Sequence, residues 1–453
     1  MKNYSIWKDN IKNKKYSKLN EDKEVDVLII GGGITGVSTL YNLRNSNLNV
    51  MLVEQNRVGL SVTGNSTGKL TFLQNDLIDK IRKSFNDDIA TKYIKSQIDS
   101  IDMITSAIND ESIECDLEKV DSYLYTNKDK EVKNLKNLEK FLNSNFIKTI
   151  SDSIDIVDSK YAFKVNNTYL INPIKLIYGL LNNNKFPIFE NTSIKKIEKE
   201  NKYYICYTDQ YKIKTKYIVI ASHYPYFIIP YLFPIKGSLE KSYLSASKYN
   251  MNPISLISYS NPFISIRNYK DYLIYLSKTH SLISDINILK NFNDLVSDLN
   301  NINLKVDYLW SNVDIITNDG LPYIGRLKNN MLIGTGYNTW GLTNGFLAGK
   351  ILSDIILNKE NEYIDLFDPN RFNLKQIIGG ISDIGSSISG YFNGYLNKSK
   401  ETHICPHAYC KLLFNDIEKT WDCPCHGSRF NIDGKCISGP ANRDIRKCYI
   451  KWY

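Results

Sequence analysis

Short runs of apolar residues, separated by glycine and polar turns, mark the predicted strands of the N-terminal region. Residues 25–30 form a run rich in β-branched residues, which is typical of a buried parallel strand. Residues 34–45 have the apolar spacing of a helix, and residues 49–54 form a second apolar run. This order predicts a β-α-β unit of about 30 residues.

Longer stretches of the chain show the same two kinds of periodicity. They predict helices over 76–110, 129–147 and 342–357, strands within 186–220 and at 331–334, and an antiparallel sheet over 226–315. Residues 361–400 are rich in glycine and serine, and we interpret them as a linker that carries an amphipathic helix. The expected fold class is α/β, with a doubly wound sheet joined to an α+β part.

Composition narrows the class of protein. The chain has 453 residues, of which 42% are hydrophobic and 23% charged, and these values are typical of a folded protein of two or three domains. The net charge of +9 is small for this length and the lysines are scattered, so we predict no nucleic-acid partner. No apolar run reaches about 18 residues, which predicts no transmembrane segment. The polar N-terminus lacks a secretory signal, so we expect a cytoplasmic location.

The motif G-x-G-x-x-G follows the first predicted strand directly, at residues 31–36. We expect Gly31 to permit a tight turn and Gly33 to let the backbone approach a pyrophosphate. Gly36 is expected to let the helix pack closely on the strand. The motif is weak by itself, but its place between a strand and a helix predicts a dinucleotide site.

The flanking residues strengthen that interpretation. Ile34 and Thr35 begin the helix, where free N–H groups and partial positive charge favour phosphates. Glu54 ends the next strand, about 20 residues after the first glycine, where a carboxylate accepts hydrogen bonds from ribose hydroxyls. An acid at this position disfavours NADP but leaves NAD and FAD open. The alternative is a glycine-rich turn in an unrelated α/β protein.

Five further segments carry a resemblance to a known family. They are S-V-T-G-N-S-T-G-K at 61–69, E-N-T-S-I at 190–194, I-V-I-A-S-H-Y-P at 218–225, D-G-L-P-Y-I-G-R at 319–326 and G-T-G-Y-N-T-W-G-L-T-N-G at 334–345. With them, the chain up to about residue 365 resembles the D-amino-acid-oxidase-like family of FAD-dependent oxidoreductases. In that family the last segment opens a helix whose N-terminus is aimed at the flavin.

The resemblance implies FAD as the cofactor and divides residues 1–365 into two parts. The FAD part is expected over roughly 20–90, 160–225 and 310–360, and the substrate part over roughly 90–160 and 226–310. The glycine motif and the resemblance together predict these FAD-binding residues: Gly31, Gly33, Ile34, Thr35, Gly36, Glu54, Thr63, Gly64, Ser66, Thr67, Ile194, Ala221, Gly336, Gly341, Leu342 and Thr343.

Candidates for substrate chemistry are few. Arg267 lies in a strand-like stretch where related proteins have an arginine, and it is a candidate for binding a substrate carboxylate; the alternative is a surface salt bridge. His223 is a candidate acid or base, with a structural histidine as its alternative, and the same holds for His280. Tyr337 and Trp340 are candidates to line the pocket, although core packing explains them equally well.

Cysteine and histidine are concentrated in residues 401–453. Cys405 and His407 form one C-x-H segment, and Cys423 and His426 form one C-x-x-H segment. Because each segment supplies one thiolate and one imidazole, the pattern favours a Rieske [2Fe–2S] centre, in which two cysteines bind one iron and two histidines the other. The alternative is a zinc site, but zinc fingers usually place both cysteines on the same segment.

The phrase W-D-C-P-C-H-G-S-R-F at residues 421–430 resembles the Rieske proteins of proton-pumping complexes very closely. That resemblance implies a disulfide between Cys410 and Cys425 that joins the two ligand loops. It also implies a small all-β module, which is abridged here because residues 397–403 lead almost directly into the first ligand.

These features together indicate an FAD-dependent oxidoreductase with a C-terminal Rieske module. We expect it to pass electrons between a small substrate, an amine or an amino acid, and the cluster, which exchanges them with an unidentified carrier. The alternative is a redox relay or sensor that turns over no small substrate.

The ligand assignment makes a direct prediction of metal content. Anaerobically purified protein should contain about two irons and two labile sulfides per chain, and His407→Ala should lose the cluster or its Rieske spectrum, because an imidazole ligand of one iron is removed. Metal analysis and labile-sulfide assay check this. One zinc per chain without sulfide would instead make the module a structural zinc site.

Overall fold

The structure is a computed structural model. It describes residues 1–9, 14–154, 156–224, 236–282, 287–371, 403–407 and 409–445. The amphipathic helix predicted for the linker lies outside these residues. The helices of the described residues are α1 (Ile34–Asn42), α2 (Leu77–Ser84), α3 (Asp87–Asp110), α4 (Asp129–Ser144), α5 (Pro173–Leu180), α6 (Ile288–Asn301) and α7 (Gly341–Ile356).

The first sheet is largely parallel and has eight strands among the described residues. They are β1 (Lys23–Ile30), β2 (Val50–Val53), β7 (Ile188–Phe189), β8 (Lys196–Glu200), β9 (Tyr203–Tyr207), β10 (Lys212–Ile220), β16 (Tyr323–Lys328) and β17 (Met331–Thr335). Their order is β16-β17-β10-β1-β2-β7, with β9 and β8 added antiparallel beside β10. This confirms the doubly wound sheet.

The apolar run of β1 explains its place at the centre of that sheet. Val27, Leu28 and Ile29 have no exposed surface, since β2 and β10 flank the strand and side chains cover both faces. Helix α1 follows at once and packs against α7. The β-α-β unit predicted from the sequence is therefore present, and the carboxyl ends of its strands face the loops described below.

The second sheet is mixed. Its strands are β3 (Lys69–Leu70), β4 (Glu118–Thr126), β5 (Ile150–Ser151), β6 (Tyr161–Leu170), β11 (Gly237–Lys248), β12 (Ser255–Ser258), β13 (Ser265–Tyr269), β14 (Tyr272–Ser281) and β15 (Val306–Thr317). Strands β12 and β4 run parallel, and the other paired strands of this sheet run antiparallel. Strand β6 pairs with β4 here, although the sequence placed its residues with the FAD part. Long-range pairing, which local pattern does not encode, decided this assignment.

Two further predictions of secondary structure differ from the structure. The single helix predicted over 76–110 is two helices, because the side chain of Asn86 accepts a hydrogen bond from Ile89 N at 2.9 Å and caps a new start. Helix α6 interrupts the region that was predicted as strands alone. Its apolar residues Phe292, Leu295 and Leu299 are buried at helical spacing, a period that the surrounding strand pattern concealed.

The C-terminal domain, residues 403–445 as described, is a small antiparallel sheet. Its strands follow one another in order as β18 (Leu413–Asn415), β19 (Thr420–Asp422), β20 (Arg429–Asn431) and β21 (Cys436–Ser438). Its buried centre contains Cys405, Leu412, Cys423, Phe430 and Cys436. The expected small all-β module is confirmed. In the part of the chain that the structure describes, no helix is both long and apolar enough to cross a membrane.

The contact between α1 and α7 depends on a residue without a side chain. A Cβ placed on Gly349 would lie 2.4 Å from Cβ of Ser38 and 2.5 Å from Thr39 N, so Gly349→Ala must push the helices apart. We expect a loss of about 1–3 kcal/mol in stability, seen as a lower unfolding midpoint of the apoprotein. The control Ser106→Ala on the exposed face of α3 should change it by less than about 0.5 kcal/mol. Equal midpoints for both variants would contradict this packing.

Candidate functional site

A large cleft opens where β1, β2 and β10 end at the carboxyl edge of the first sheet. Its empty volume is about 1710 Å³. This volume includes open solvent at the mouth, and residues of both sheets line the cleft. Its walls include the loops after β1 and β10, which is where open α/β sheets bind their ligands.

The three glycines of the motif have different structural tasks. Gly31 has φ +115°, and a Cβ there would lie 2.5 Å from the carbonyl oxygen of Ala221. A Cβ on Gly36 would lie 1.9 Å from the carbonyl oxygen of Gly31. At Gly33 the nearest atom is Oγ1 of Thr63, at 3.3 Å, so this backbone is open to the cleft. The first and third glycines therefore allow close packing, and the second lets a phosphate approach.

Glu54 is fixed at one end of the cleft by backbone donors. Its Oε2 accepts from Gly32 N at 2.7 Å and its Oε1 accepts from Asn56 N at 2.8 Å. Burial raises the pKa of this carboxyl, and the two N–H donors act in the opposite direction. Arg57 lines the same end, with Nε 2.8 Å from Oε2 of Glu190. The arrangement suits a ribose, whose hydroxyls can donate to the remaining lone pairs of Glu54.

Most of the predicted FAD-binding residues line this cleft. Those that do are Gly31, Gly33, Ile34, Thr35, Glu54, Thr63, Ser66, Thr67, Ile194, Ala221, Gly341 and Leu342. Gly36, Gly64, Gly336 and Thr343 do not line it. They shape the surrounding backbone instead: a Cβ on Gly64 would lie 2.6 Å from the carbonyl oxygen of Gly59, and Thr343 donates to Gln97 at 2.7 Å.

Helix α7 presents its N-terminus to the cleft. Trp340 precedes the helix and makes no side-chain cap, so the first backbone N–H groups and their partial positive charge are available to a ligand. Tyr337 in the preceding loop is hydrogen-bonded to Thr35 of α1, with 2.8 Å between the two oxygens. This bond fixes one helix start relative to the other.

Arg267, predicted to bind a substrate carboxylate, lies outside the cleft. Its side chain is 1% exposed and does not line the cleft. The guanidinium donates to the carbonyl oxygens of Thr67, Gly68 and Ile171, at 3.0, 2.6 and 3.0 Å. Burial lowers its pKa to about 9. Arg267 therefore holds loop backbone together, and its donors are not available to a substrate carboxylate.

His223 does line the cleft, but its imidazole has a structural partner. Nε2 lies 3.0 Å from the carbonyl oxygen of Val313, which requires that nitrogen to carry the proton. Burial lowers the pKa of His223 to about 4, so the ring is neutral at pH 7. His280 lies outside the cleft, 3.1 Å from the hydroxyl of Tyr243. Both positions agree with the structural alternatives.

The four predicted cluster ligands converge in the C-terminal domain. Cys405 and Cys423 are buried, and their thiols lie within hydrogen-bonding reach of each other. The rings of His407 and His426 have centroids 4.9 Å apart, and both Nδ1 atoms are buried without a hydrogen-bond partner among the described residues. Since buried polar atoms are normally paired, these two nitrogens fit metal ligation, and the set fits the two irons of a [2Fe–2S] cluster.

The disulfide between Cys410 and Cys425 is present. It joins the loop that carries Cys405 to the loop that carries Cys423. The sulfurs of Cys410, Cys423 and Cys425 lie within 4.8 Å of one another, so the bond lies beside the ligand set.

The C-terminal domain also forms part of the cleft wall. Residues 437–440 line the cleft, and Asn56 donates from Nδ2 to the carbonyl oxygen of Ile437 at 3.1 Å. The ring of His426 lies edge-on to Tyr224, with centroids 6.1 Å apart, and Tyr224 lines the cleft. One aromatic side chain therefore lies between a cluster ligand and the dinucleotide site.

A buried ionic network holds this domain on the second sheet. Lys241 of β11 pairs with Asp422 at 2.7 Å, and their side chains are only 1% and 8% exposed. Arg429 pairs with the same carboxylate at 3.1 Å and with Glu418 at 2.7 Å. Glu418 also accepts from the backbone N of Ser311 at 3.2 Å. Lys241 is the member of this network that lies outside the C-terminal domain, so separating the domains would break its ion pair with Asp422 and leave the pairs of Arg429 intact.

Comparison with known proteins identifies both parts of the chain. The family described as FAD dependent oxidoreductase (DAO) matches residues 26–355, and the Rieske [2Fe-2S] domain matches residues 401–449. The chain belongs to this family of FAD-dependent oxidoreductases and carries a C-terminal Rieske domain. The predicted cofactors, FAD and a [2Fe–2S] cluster, are thereby confirmed.

Individual relatives match all or most of this chain. The chain is 27% identical to the putative Rieske 2Fe-2S iron-sulfur protein YhfW of Bacillus subtilis, over 98% of this chain and 97% of that protein. It is 22% identical to gamma-glutamylputrescine oxidoreductase of Escherichia coli, over 78% and 88%. Glycine oxidase from Geobacillus kaustophilus superposes with a TM-score of 0.64 at 15% identity, over 77% and 99%.

Several residues of the site were missed at the sequence level. Tyr224, Asp314 and residues 437–440 line the cleft, and Lys241 joins the domains. A signal existed for Asp314, because it is the one acid in the otherwise apolar run from Val313 to Ile316. No local signal existed for Lys241, whose partner lies far along the chain.

Glu54 provides a test of the cofactor end of the cleft. Glu54→Gln replaces one acceptor oxygen by a donor that faces the N–H of Gly32 or Asn56, which costs about 1–3 kcal/mol, or roughly 5–150-fold in FAD affinity. Titration of the apoprotein by flavin fluorescence measures it. Glu21→Gln, an exposed residue ahead of β1, is the matched control. Unchanged FAD affinity in the Glu54 variant would contradict its placement.

Proposed function

We propose that the protein oxidises a small amine or amino acid in the cleft and passes the electrons through the Rieske cluster to a separate carrier. FAD would accept a hydride, and the cluster would transfer electrons one at a time. The residues proposed to hold FAD are the cleft-lining set above. Cys405, His407, Cys423 and His426 are proposed to hold the cluster.

The observation that carries this proposal is the contact between His426 and Tyr224. A ligand of the cluster packs against a side chain of the cleft, with 6.1 Å between ring centroids. Residues 437–440 add backbone from the same domain to the cleft wall. An arrangement in which the two redox sites share a wall supports electron exchange within one chain.

Contacts between the domains hold His426 and Tyr224 in place. Lys241 and Asp422 anchor the domain on one side, and Asn442 donates to the carbonyl oxygen of Lys195 at 3.1 Å on the other. Tyr224 is buried, and both Tyr224 and His223 lie beside residues of the C-terminal domain. Holding the partners in one geometry removes the search that two separate proteins would need.

The relatives support the substrate class. Gamma-glutamylputrescine oxidoreductase is named for an amine derivative, and glycine oxidase for an amino acid. The alternative, a relay without a small substrate, is less well supported because side chains of the second sheet, such as Ser242 and Leu276, line the same cleft as the predicted FAD-binding residues.

The buried pair offers a test of electron exchange. We expect anaerobic reduction of the flavin to be followed by the reduced-cluster EPR signal in the same sample. Lys241→Met should slow that second step, because losing about 1–2 kcal/mol of docking lowers the ratio of docked to undocked molecules about 5–30-fold. Parallel absorbance and EPR kinetics measure both steps.

The control is Lys92→Met, at a residue of α3 remote from the C-terminal domain, and it should behave as the unaltered protein. Iron and FAD contents should be equal in all three proteins, which separates docking from cofactor loss. Flavin reduction that leaves the cluster oxidised in the unaltered protein would refute the proposed function.

A further inference from the structure

Side chains of the second sheet line part of the cleft. Ser242, Leu244 and Leu276 contribute small polar and apolar surface, and Asn312 and Asp314 of β15 contribute an amide and a carboxyl group. No lysine lines the cleft among the described residues, and its one described arginine, Arg57, pairs with Glu190 beside Glu54. The charge offered to a substrate here is therefore that of a carboxylate.

Asp314 is buried without a compensating cation. It is 9% exposed, and Asn312 donates to its Oδ2 at a long 3.3 Å. Its cross-strand partner is Glu240, a like charge, and none of the described lysines or arginines forms an ion pair with it. Burial, with a contribution from Glu240, raises the pKa of Asp314 to about 7. A bound cation would supply the missing charge and favour the ionised form.

The strand that carries Asp314 ends against the loop before α7. Asn338 N donates to the carbonyl oxygen of Ile315 at 3.1 Å, and Thr317 N donates to Oδ1 of Asn338 at 2.8 Å. The same loop delivers Trp340, which is 7% exposed, lines the cleft and has no partner for Nε1 among the described residues. Phe263 lies edge-on to it, with ring centroids 6.3 Å apart.

This combination of groups has a defined binding preference. A carboxylate provides a counter-ion for an ammonium group, and the faces of tryptophan and phenylalanine attract cations as well. A substrate carboxylate would instead meet the carboxyl group of Asp314, and the guanidinium of Arg267 donates to backbone carbonyl oxygens outside the cleft. Charge therefore separates amines from α-amino acids at this site.

We propose that Asp314 binds the protonated nitrogen of the substrate and that the substrate is an amine without an α-carboxylate. This deepens the proposed function and rests on it. Asp314 is a specificity-determining residue whose charge selects the cation, with Trp340 and Phe263 forming the aromatic wall.

The reaction balances with FAD as the only oxidant. The bound ammonium gives one proton to Asp314 and becomes a neutral amine. The C–H bond on the adjacent carbon then breaks, its electron pair leaves with the hydrogen as hydride to the flavin, and the nitrogen lone pair forms the C=N bond. The iminium product reacts with water to give a carbonyl compound and ammonium.

Two probes of equal shape and opposite charge test the selection without turnover. tert-Butylamine has no hydrogen on the carbon beside nitrogen and cannot be oxidised in this way, and pivalate is its carboxylate counterpart. Each is titrated at neutral pH into the FAD-loaded full chain, and perturbation of the oxidised flavin spectrum gives the affinity. We expect tert-butylammonium to bind at least about tenfold more tightly than pivalate, which corresponds to 1.4 kcal/mol.

The matched variants are Asp314→Asn and, as a control, Asp365→Asn at an exposed position outside the cleft. Asp314→Asn should keep its FAD content and lose at least about tenfold in tert-butylamine affinity. Asp365→Asn should bind both probes as the unaltered protein does. Asp314→Glu, which keeps the charge, should recover part of the binding.

Three results would overturn the proposal: pivalate binding as tightly as tert-butylamine, no flavin perturbation by tert-butylamine at all, or unchanged affinity in FAD-loaded Asp314→Asn. Flavin reduction by n-butylamine and by norvaline, which differ only by the α-carboxylate, then tests turnover, and only the former should bleach the flavin. None of these readouts involves the cluster. A failure of electron exchange with the cluster is therefore distinguishable from a failure of amine selection.

Discussion

The ion pair between Lys241 and Asp422 is the interaction on which the arrangement of the two redox sites depends. It joins the second sheet to the C-terminal domain, with both side chains almost wholly buried. An isolated buried charge is costly, whereas a buried pair with further partners is tolerated. Arg429 and Glu418 supply those partners. The network therefore favours one docked position, and in that position His426 meets Tyr224 at the cleft.

The local features of the fold could be predicted from the sequence because their causes are local. The β-α-β unit follows from two apolar runs and a glycine motif within about 30 residues. The cluster ligands follow from residue types at close spacing. The pairing of β6 with β4 could not be predicted, because the two strands are distant in sequence. The residues of α6 were predicted as strand, because the apolar face of this helix lies among strand-like residues.

The same distinction applies within the site. Arg267 has the chemistry of a carboxylate binder, yet backbone carbonyls of distant loops occupy its donors. Asp314 lies in a largely apolar strand, and only the folded structure shows that it lines the cleft. Which side chain faces a ligand is set by tertiary packing, so residue type alone could not separate the two. As a result Asp314 lines the cleft and Arg267 does not.

We propose that flavin and cluster exchange electrons within one chain. Laser-flash reduction of the flavin, followed by the absorbance of the cluster, measures the rate of that exchange directly. We expect a first-order rate that does not change when the protein concentration is varied over a hundredfold range. A rate that rises in proportion to protein concentration would show exchange between molecules and would contradict it.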